Sequence, residues 1–325
     1  MSAHTATALA HPNIALAKYW GKRSIAGNVP ATPSVSVTLG GLDTRTTVTF
    51  DEALTADVLS LDGVTQAGRP LARVTAMLDE LRALAGTRTR ASVSSVNGFP
   101  TASGLASSAS GFAALARAGS AALRLSLDDA LLSRIARRAS ASAARSVLGG
   151  FVALGTEDDA AAEPVAAASH WSLAVVVAAA TLDAKPIGST EAMERTRTTS
   201  PFYAAWLEDA PALAAEVRAA ILARDLQRLG EAAEASAMRM HACALAARPA
   251  IAYWTPPTLA LLAEVRALRA RGLGVWATID AGPHVKALCS GDDAARVDEA
   301  LHPWCVRTFI AHPGEGARVI AGGAP

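Results

Sequence analysis

The pattern of apolar and polar positions changes character along the chain. Residues 34–39 (SVSVTL) and 44–50 (TRTTVTF) alternate with β-branched side chains at period two, which predicts two strands with residues 40–43 turning between them. The apolar run at 13–17 predicts another strand. Apolar residues at helical spacing predict a helix over 70–85, and 89–96 (TRASVSSV) alternate again as a strand. A Gly/Ser/Ala-rich loop at 98–111 opens into a helix running to about residue 125. Ser126, ahead of Asp128 and Asp129, reads as an N-cap with an acidic first turn, starting a second helix to about 138. Continuous apolar runs at 150–154 and 171–180 predict buried strands. Beyond 186 the pattern is helical over 203–223, 225–241 and 257–271. It then returns to strands at 274–279, 284–289 and 305–311, with a short helix before the last. This change, in a chain of 325 residues, above the usual single-domain size, predicts two domains, 1–185 and 186–325.

Composition narrows the classes of function. Half of the chain is apolar and the net charge is +1, so bulk electrostatics favour neither nucleic acid nor a membrane surface. An anionic ligand must therefore be met by a local cluster. The three cysteines (Cys243, Cys289, Cys305) are scattered and lack metal-ligand spacing, which fits a reducing compartment. Residues 1–12 lack the pattern of a signal peptide, and the apolar stretch at 173–180 is too short to span a bilayer, so a cytoplasmic location is expected. Of thirty basic residues only four are lysine: Lys18, Lys22, Lys185 and Lys286. Where Arg fills the ordinary surface positions, a retained Lys marks a place that takes a compact ammonium and not a planar guanidinium.

Four segments carry candidate chemistry. The loop from Phe99 to Gly111 (FPTASGLASSASG) follows a strand and leads into a helix. Small residues let backbone N–H groups approach an anion at a helix N-terminus, and Ser107 and Ser108 add hydroxyls for phosphate or magnesium. It lacks the Gly-Lys-Ser/Thr of a Walker loop, and a packed or flexible linker accounts for it equally well. In Asn13–Arg23 (NIALAKYWGKR) an apolar strand ends in three cations interleaved with two aromatics. A solvated basic patch is the ordinary reading, but half of the lysines lie here. In Arg137–Gly150 (RRASASAARSVLGG) the hydroxyls of Ser140, Ser142 and Ser146 surround Arg145, a bidentate clamp for carboxylate or phosphate. A helix C-terminus explains Arg137 and Arg138 but not Arg145. In Trp276–His284 (WATIDAGPH) an acid, Asp280, ends an apolar strand; it is either a carboxylate held on a rigid element or the opening of a turn.

Together these segments resemble the GHMP kinase superfamily, and within it the mevalonate diphosphate decarboxylases. That family carries Asn-Ile-Ala…Lys-Tyr-Trp-Gly-Lys-Arg, Phe-Pro-Thr-Ala-x-Gly-Leu-Ala-Ser-Ser-Ala, Arg-Arg-x-Ser-x-Ser-Ala-x-Arg-Ser, Ser-Thr-x-x-Met (here Ser189–Met193) and a strand ending Asp-Ala-Gly-Pro, in this order. The resemblance implies an α+β chain of GHMP-kinase type, with two domains, the active site in the cleft between them, and a homodimer. It implies ATP and Mg2+ as cofactors and mevalonate 5-diphosphate as substrate. By the same resemblance Asn97, Ser103, Gly104, Leu105, Ala106, Ser107 and Ser108 hold the nucleotide, with Ser107 on magnesium. Tyr19, Lys22, Ser140, Ser142 and Ser189 hold the diphosphate. Arg145, steadied by Asn13, grips the carboxylate, and Asp280 and Lys18 sit at the tertiary hydroxyl. The seven histidines are expected to pack and not to ligate metal, and Trp20 is the one tryptophan set apart as able to stack on a cofactor.

The chain departs from the pattern at Ala139 and Ala141, where the family usually has glycine. Alanine strongly disfavours positive φ, so both residues are expected at negative φ with Ser140 and Ser142 facing the pocket. The departure keeps a relative acting on mevalonate 5-phosphate, or on mevalonate itself, in play. A GHMP kinase that phosphorylates without decarboxylating is the other alternative.

Overall fold

The computed structural model describes residues 4–24, 26–99, 107–183 and 185–320. Its first half supplies strands β1 (His4–Ala10), β2 (Asn13–Ala17), β3 (Lys22–Ser24), β4 (Val29–Pro30), β5 (Ser34–Gly40), β6 (Thr44–Phe50), β7 (Val58–Leu61), β8 (Val64–Gln66) and β9 (Ala91–Asn97). These are followed by β10 (Phe151–Leu154), β11 (Ala162–Ala166) and β12 (Leu173–Ala179). Helices α1 (Arg69–Ala85), α2 (Ser107–Ala122), α3 (Asp129–Ala139) and α4 (Ala143–Ser146) lie among them. The second half holds α5 (Ser189–Thr199), α6 (Tyr203–Ala223), α7 (Leu226–Leu245), α8 (Pro256–Ala270) and α9 (Ala294–Leu301). Its strands are β13 (Val275–Ile279), β14 (Val285–Ser290), β15 (Arg307–Pro313) and β16 (Arg318–Ile320).

Two sheets organise the two-domain α+β fold. The first has the order β16-β1-β6-β9-β7-β8, with β7 and β9 parallel and the other pairs antiparallel. Alternation in β6 puts Thr44, Thr46, Val48 and Phe50 inward, against a core that α1, α2 and α3 complete. The second sheet runs β11-β10-β5-β15-β12-β14-β13, with β2 also paired to β5. All seven residues of β12 are buried, as its unbroken apolar run requires of a central strand covered on both faces. Helices α6 and α7 cover one face and α8 and α9 the other. Both β2 and β13 deliver their C-terminal ends to one rim of this sheet.

Several expectations need correction. Strands β5 and β6 do not pair with each other: residues 40–43 carry the chain from one sheet to the other. The helix expected after 111 begins at Ser107. Asp128, not Ser126, caps α3, its carboxylate accepting from the Leu131 N–H at 2.7 Å. An Asp one residue before the helix meets the orphan N–H groups directly, and Ser126 lies too early. Trp20 is fully buried, edge-on to Tyr253 and within a cluster from α5, α6 and α7, so it packs in the core.

Candidate active site

The lower wall of the site is built on β2, β5 and α4. Arg145, 2% exposed, projects from α4, and its guanidinium donates to Asn13 Oδ1 at 3.2 and 3.3 Å, to Ser36 Oγ at 3.0 Å and to Ser34 Oγ at 2.7 Å. Asn13 in turn donates to the Ser142 carbonyl at 2.8 Å and to Ser146 Oγ at 2.7 Å. Burial pushes the Arg145 pKa down to about 10, partly offset by the negative charge of Asp280, so it stays cationic at neutral pH.

Lys18 follows β2 and is also buried. Its backbone N–H donates to Ser236 Oγ of α7 at 2.9 Å, and its Nζ to the Ala15 carbonyl at 2.7 Å and to Asp280 Oδ1 at 2.6 Å. Burial lowers the Lys18 pKa to about 8 against the opposing pull of Asp280. Asp280 stands at the end of β13 with Lys286 Nζ 3.3 Å from its second oxygen. Burial alone would raise the Asp280 pKa, but the two ammoniums outweigh it and hold the carboxyl well below the usual carboxylate range. His241 and His284 lie behind this group, both pushed down by burial, to about 4 and about 3, and are therefore neutral. Ala180 N–H donates to His284 Nδ1 at 3.2 Å.

The upper wall gathers around the C-terminus of α3. Lys22 Nζ donates to Asn28 Oδ1 at 2.6 Å and to Thr190 Oγ1 at 2.9 Å. Asn28 caps the α3 end by donating to the Arg138 carbonyl at 2.7 Å, and Arg73 donates to the Ala139 carbonyl at 2.7 Å. Burial, then the charges of Arg73 and Arg69, lower the Lys22 pKa to about 8. Ser140 Oγ and Ser142 Oγ lie 3.3 Å apart. Lys185 donates to Ser189 Oγ at 2.8 Å at the start of α5. The Tyr19 hydroxyl is buried without a hydrogen-bond partner, a donor available to a ligand oxygen. The Gly21 between Trp20 and Lys22 has φ +107°, and a Cβ there would meet the Tyr203 hydroxyl at 2.2 Å. Only glycine allows this turn, which sends Trp20 into the core and Lys22 into the pocket.

At the nucleotide end, Ser107 and Ser108 open the 16-residue helix α2, and Asn97 ends β9 with Thr44 Oγ1 donating to its Oδ1 at 2.6 Å. A helix start bearing free N–H groups and hydroxyls fits a phosphate chain and a hard cation. Ser103, Gly104, Leu105 and Ala106 lie outside the described residues. The structure joins Asn13 with Arg145, and Lys18 with Asp280. It also links Lys22 and Ser140 with Ser142 through the α3 end. Ala139 and Ala141 are both at negative φ, as expected. Sequence reasoning assigned no role to Lys286, Arg73, Ser34 or Ser36. The scarcity of lysine marked Lys286, whereas nothing separated Arg73 from the other arginines.

An α+β frame of two domains, a phosphate-binding helix start and a cleft lined by buried cations define an enzyme of the GHMP-kinase type, built to handle phosphorylated small molecules. Residues 10–166 match the diphosphomevalonate decarboxylase-like N-terminal domain, and residues 174–310 the mevalonate 5-diphosphate decarboxylase C-terminal domain. The chain belongs to the diphosphomevalonate decarboxylase family. It is 37% identical over 305 residues to diphosphomevalonate decarboxylase mvd1 of Aspergillus fumigatus, covering 86% of this chain and 76% of that one. It is 33% identical to phosphomevalonate decarboxylase of Haloferax volcanii, covering 97% of each. A solved structure of MDDEF in complex with MVAPP, AMPPCP and magnesium superposes with a TM-score of 0.92 at 38% identity, covering 99% of this chain and 100% of that one.

Proposed function

We propose that this chain catalyses the ATP-dependent decarboxylation of mevalonate 5-diphosphate to isopentenyl diphosphate, with phosphate and carbon dioxide lost after phosphorylation of the 3-hydroxyl. The observation that carries the reading is the pairing of Asp280 with Lys18 beside the buried Arg145, across a cleft whose other wall is the cation and hydroxyl cluster of Lys22, Tyr19, Ser140, Ser142 and Ser189. One end suits a carboxylate and a tertiary alcohol, the other a diphosphate. Bound Mg-ATP, held by Asn97, Ser103, Gly104, Leu105, Ala106, Ser107 and Ser108 with Ser107 on the metal, supplies the phosphoryl group and neutralises its charge.

The remaining chemistry belongs to the chain. Arg145 fixes the substrate carboxylate, and Asn13 fixes Arg145. Asp280 accepts the hydrogen bond of the 3-hydroxyl and turns its oxygen toward the phosphoryl donor. Held so far below neutrality, it is a weak proton acceptor, and orientation is its larger contribution. Once phosphate leaves, its fixed negative charge favours the positive charge developing at the tertiary carbon. Lys18, at about 8, is the cation placed to neutralise the transferring group.

The homology to a phosphomevalonate decarboxylase keeps the 5-phosphate as the second reading. The cluster of Lys22, Arg73 and Arg69 favours the more highly charged diphosphate. The discriminating experiment is a product assay with Mg-ATP and each of mevalonate, its 5-phosphate and its 5-diphosphate. Carbon dioxide from the 5-diphosphate is expected. Turnover of the 5-phosphate alone would overturn the substrate, and a phosphorylated product without carbon dioxide would overturn the reaction. Among the described residues no helix is long and apolar enough to cross a membrane. A cytoplasmic homodimer, with domains meeting near residue 185, completes the reading.

A further inference from the structure

Lys286 has no part in the roles above, yet its placement is restrictive. It sits in β14, five of whose six residues are buried, and is itself 1% exposed. An unpaired ammonium in that setting is strongly disfavoured. Its Nζ lies 3.3 Å from Asp280 Oδ2 and 3.4 Å from the His284 carbonyl that it donates to, while Lys18 holds Oδ1. Each oxygen of the carboxylate therefore faces its own ammonium.

The two ammoniums differ in how the chain connects them to Asp280. Lys18 follows β2, in the first half of the chain, so its contact with Asp280 joins two distant parts of the fold. Lys286 lies on the strand hydrogen-bonded to β13, directly opposite Thr278, two residues before Asp280. The ladder of one hairpin sets its distance from the carboxylate, however the two domains meet.

We propose that Lys286 is a positioning residue: from within the Asp280 hairpin it holds the second carboxylate oxygen, fixing the aim of Asp280 while Lys18 serves the reacting groups. The charged and titratable groups around Asp280 are Lys18 after β2, Lys286 on β14, Lys185 ahead of α5, Arg145 on α4, His241 on α7 and His284 in the adjoining turn. The histidines are neutral and Arg145 is occupied by Asn13, Ser34 and Ser36. Without Lys286 the carboxylate would be anchored at one oxygen only and could swing about it.

The inference rests on the reading of Asp280 given above, and the test separates the two. Steady-state kinetics with Mg-ATP and mevalonate 5-diphosphate are compared for the wild type, Lys286→Met, Asp280→Asn and the double variant, each checked for folding by thermal unfolding. Lys286→Met should lower kcat by about tenfold or more, the scale for a misplaced reacting group, with both KM values unchanged because Lys286 touches neither ligand. In the Asp280→Asn background the same change should have no further effect on kcat, since Lys286 acts through the carboxylate. Lys286→Gln, also neutral but able to donate to the His284 carbonyl, carries the same expectation if the Met variant does not fold. Wild-type kcat in a folded Lys286→Met or Lys286→Gln, or an equal loss in both backgrounds, overturns the inference. Wild-type kcat in Asp280→Asn would overturn the role of Asp280 itself.

Discussion

The two ends of the cleft are built on opposite plans. Around Asp280 and Arg145 nearly every donor has a partner within the protein: Arg145 is held by Asn13, Ser34 and Ser36, and Asp280 by two lysines. Around Lys22 the cations outnumber the anions, the Tyr19 hydroxyl has no partner, and the serine pair is only part-buried. The first end is pre-organised, so its geometry is fixed before the substrate arrives and little reorganisation accompanies the chemistry. The second end is an electrostatic deficit that a diphosphate fills. Changes at the first end should therefore appear in kcat, and changes at the second in KM.

The strongest test of that division is Asp280. Replacing it with Asn should cut kcat by at least about a hundredfold, the low end for a positioned acid–base group, with affinity for a non-hydrolysable ATP analogue little changed. Near-wild-type kcat would erase the distinction between the ends. Arg145 comes next. Its fork spans acceptors on β2 and β5 that a single ammonium cannot reach together. Arg145→Lys should lose roughly tenfold or more in kcat/KM, nearly as much as Arg145→Gln, since each charge-assisted hydrogen bond contributes about 1.5–3 kcal/mol. Full activity in the Lys variant would reduce the clamp to a point charge.

A smaller effect separates the ends by pH. Lys22 keeps its ammonium only below a pKa lowered to about 8 by burial and then by Arg73 and Arg69. As pH rises through about 8 the charge is lost, so KM for the diphosphate should rise on the alkaline side. In Lys22→Met the KM should be about tenfold higher at neutral pH, equivalent to about 1.4 kcal/mol, and flat across that range. Lys18 titrates in the same window, but its loss should register in kcat. A KM rise above pH 8 that survives in Lys22→Met would assign the titration elsewhere.

How much of this was legible follows the same contrast. Lysine stood out because the chain uses arginine almost everywhere else, and all four lysines line the site. Arg73 carried no such mark. Ser34 and Ser36 read as ordinary alternating strand residues, and only the packing of α4 against β5 reveals that they face Arg145. Strand β1 (HTATALA) and helix α5 (STEAMERTRTT) escaped the pattern for different reasons. Alanine and threonine give β1 a weak apolar signal, and α5 buries only three residues along its length. The pairing of strands was invisible too: β5 and β6 look like partners along the chain, but each answers to a different sheet.

The mildest expected effect lies at the seam between the two ends. Ala139 ends α3 and packs against the first-domain core, and Ala141 is 5% exposed in the turn closed by Ala143 N–H to the Ser140 carbonyl at 2.8 Å. Both have negative φ, with Ser142 in the helical region at φ −68° and ψ −25°. A glycine at either place would gain no conformation that the native backbone uses, while widening the choices of the unfolded chain. The double change Ala139→Gly and Ala141→Gly should therefore lower stability by about 1–2 kcal/mol, from about 0.5–1 kcal/mol at each position. Since neither methyl is needed for the serine pair to face the pocket, turnover of the 5-diphosphate should persist with a small rise in KM as the segment loosens. Thermal unfolding and kinetics on the same preparation decide the matter. A double variant that gains activity on the 5-diphosphate would mean that the alanine methyls narrow the pocket, and the 5-phosphate would then become the better substrate for the native chain.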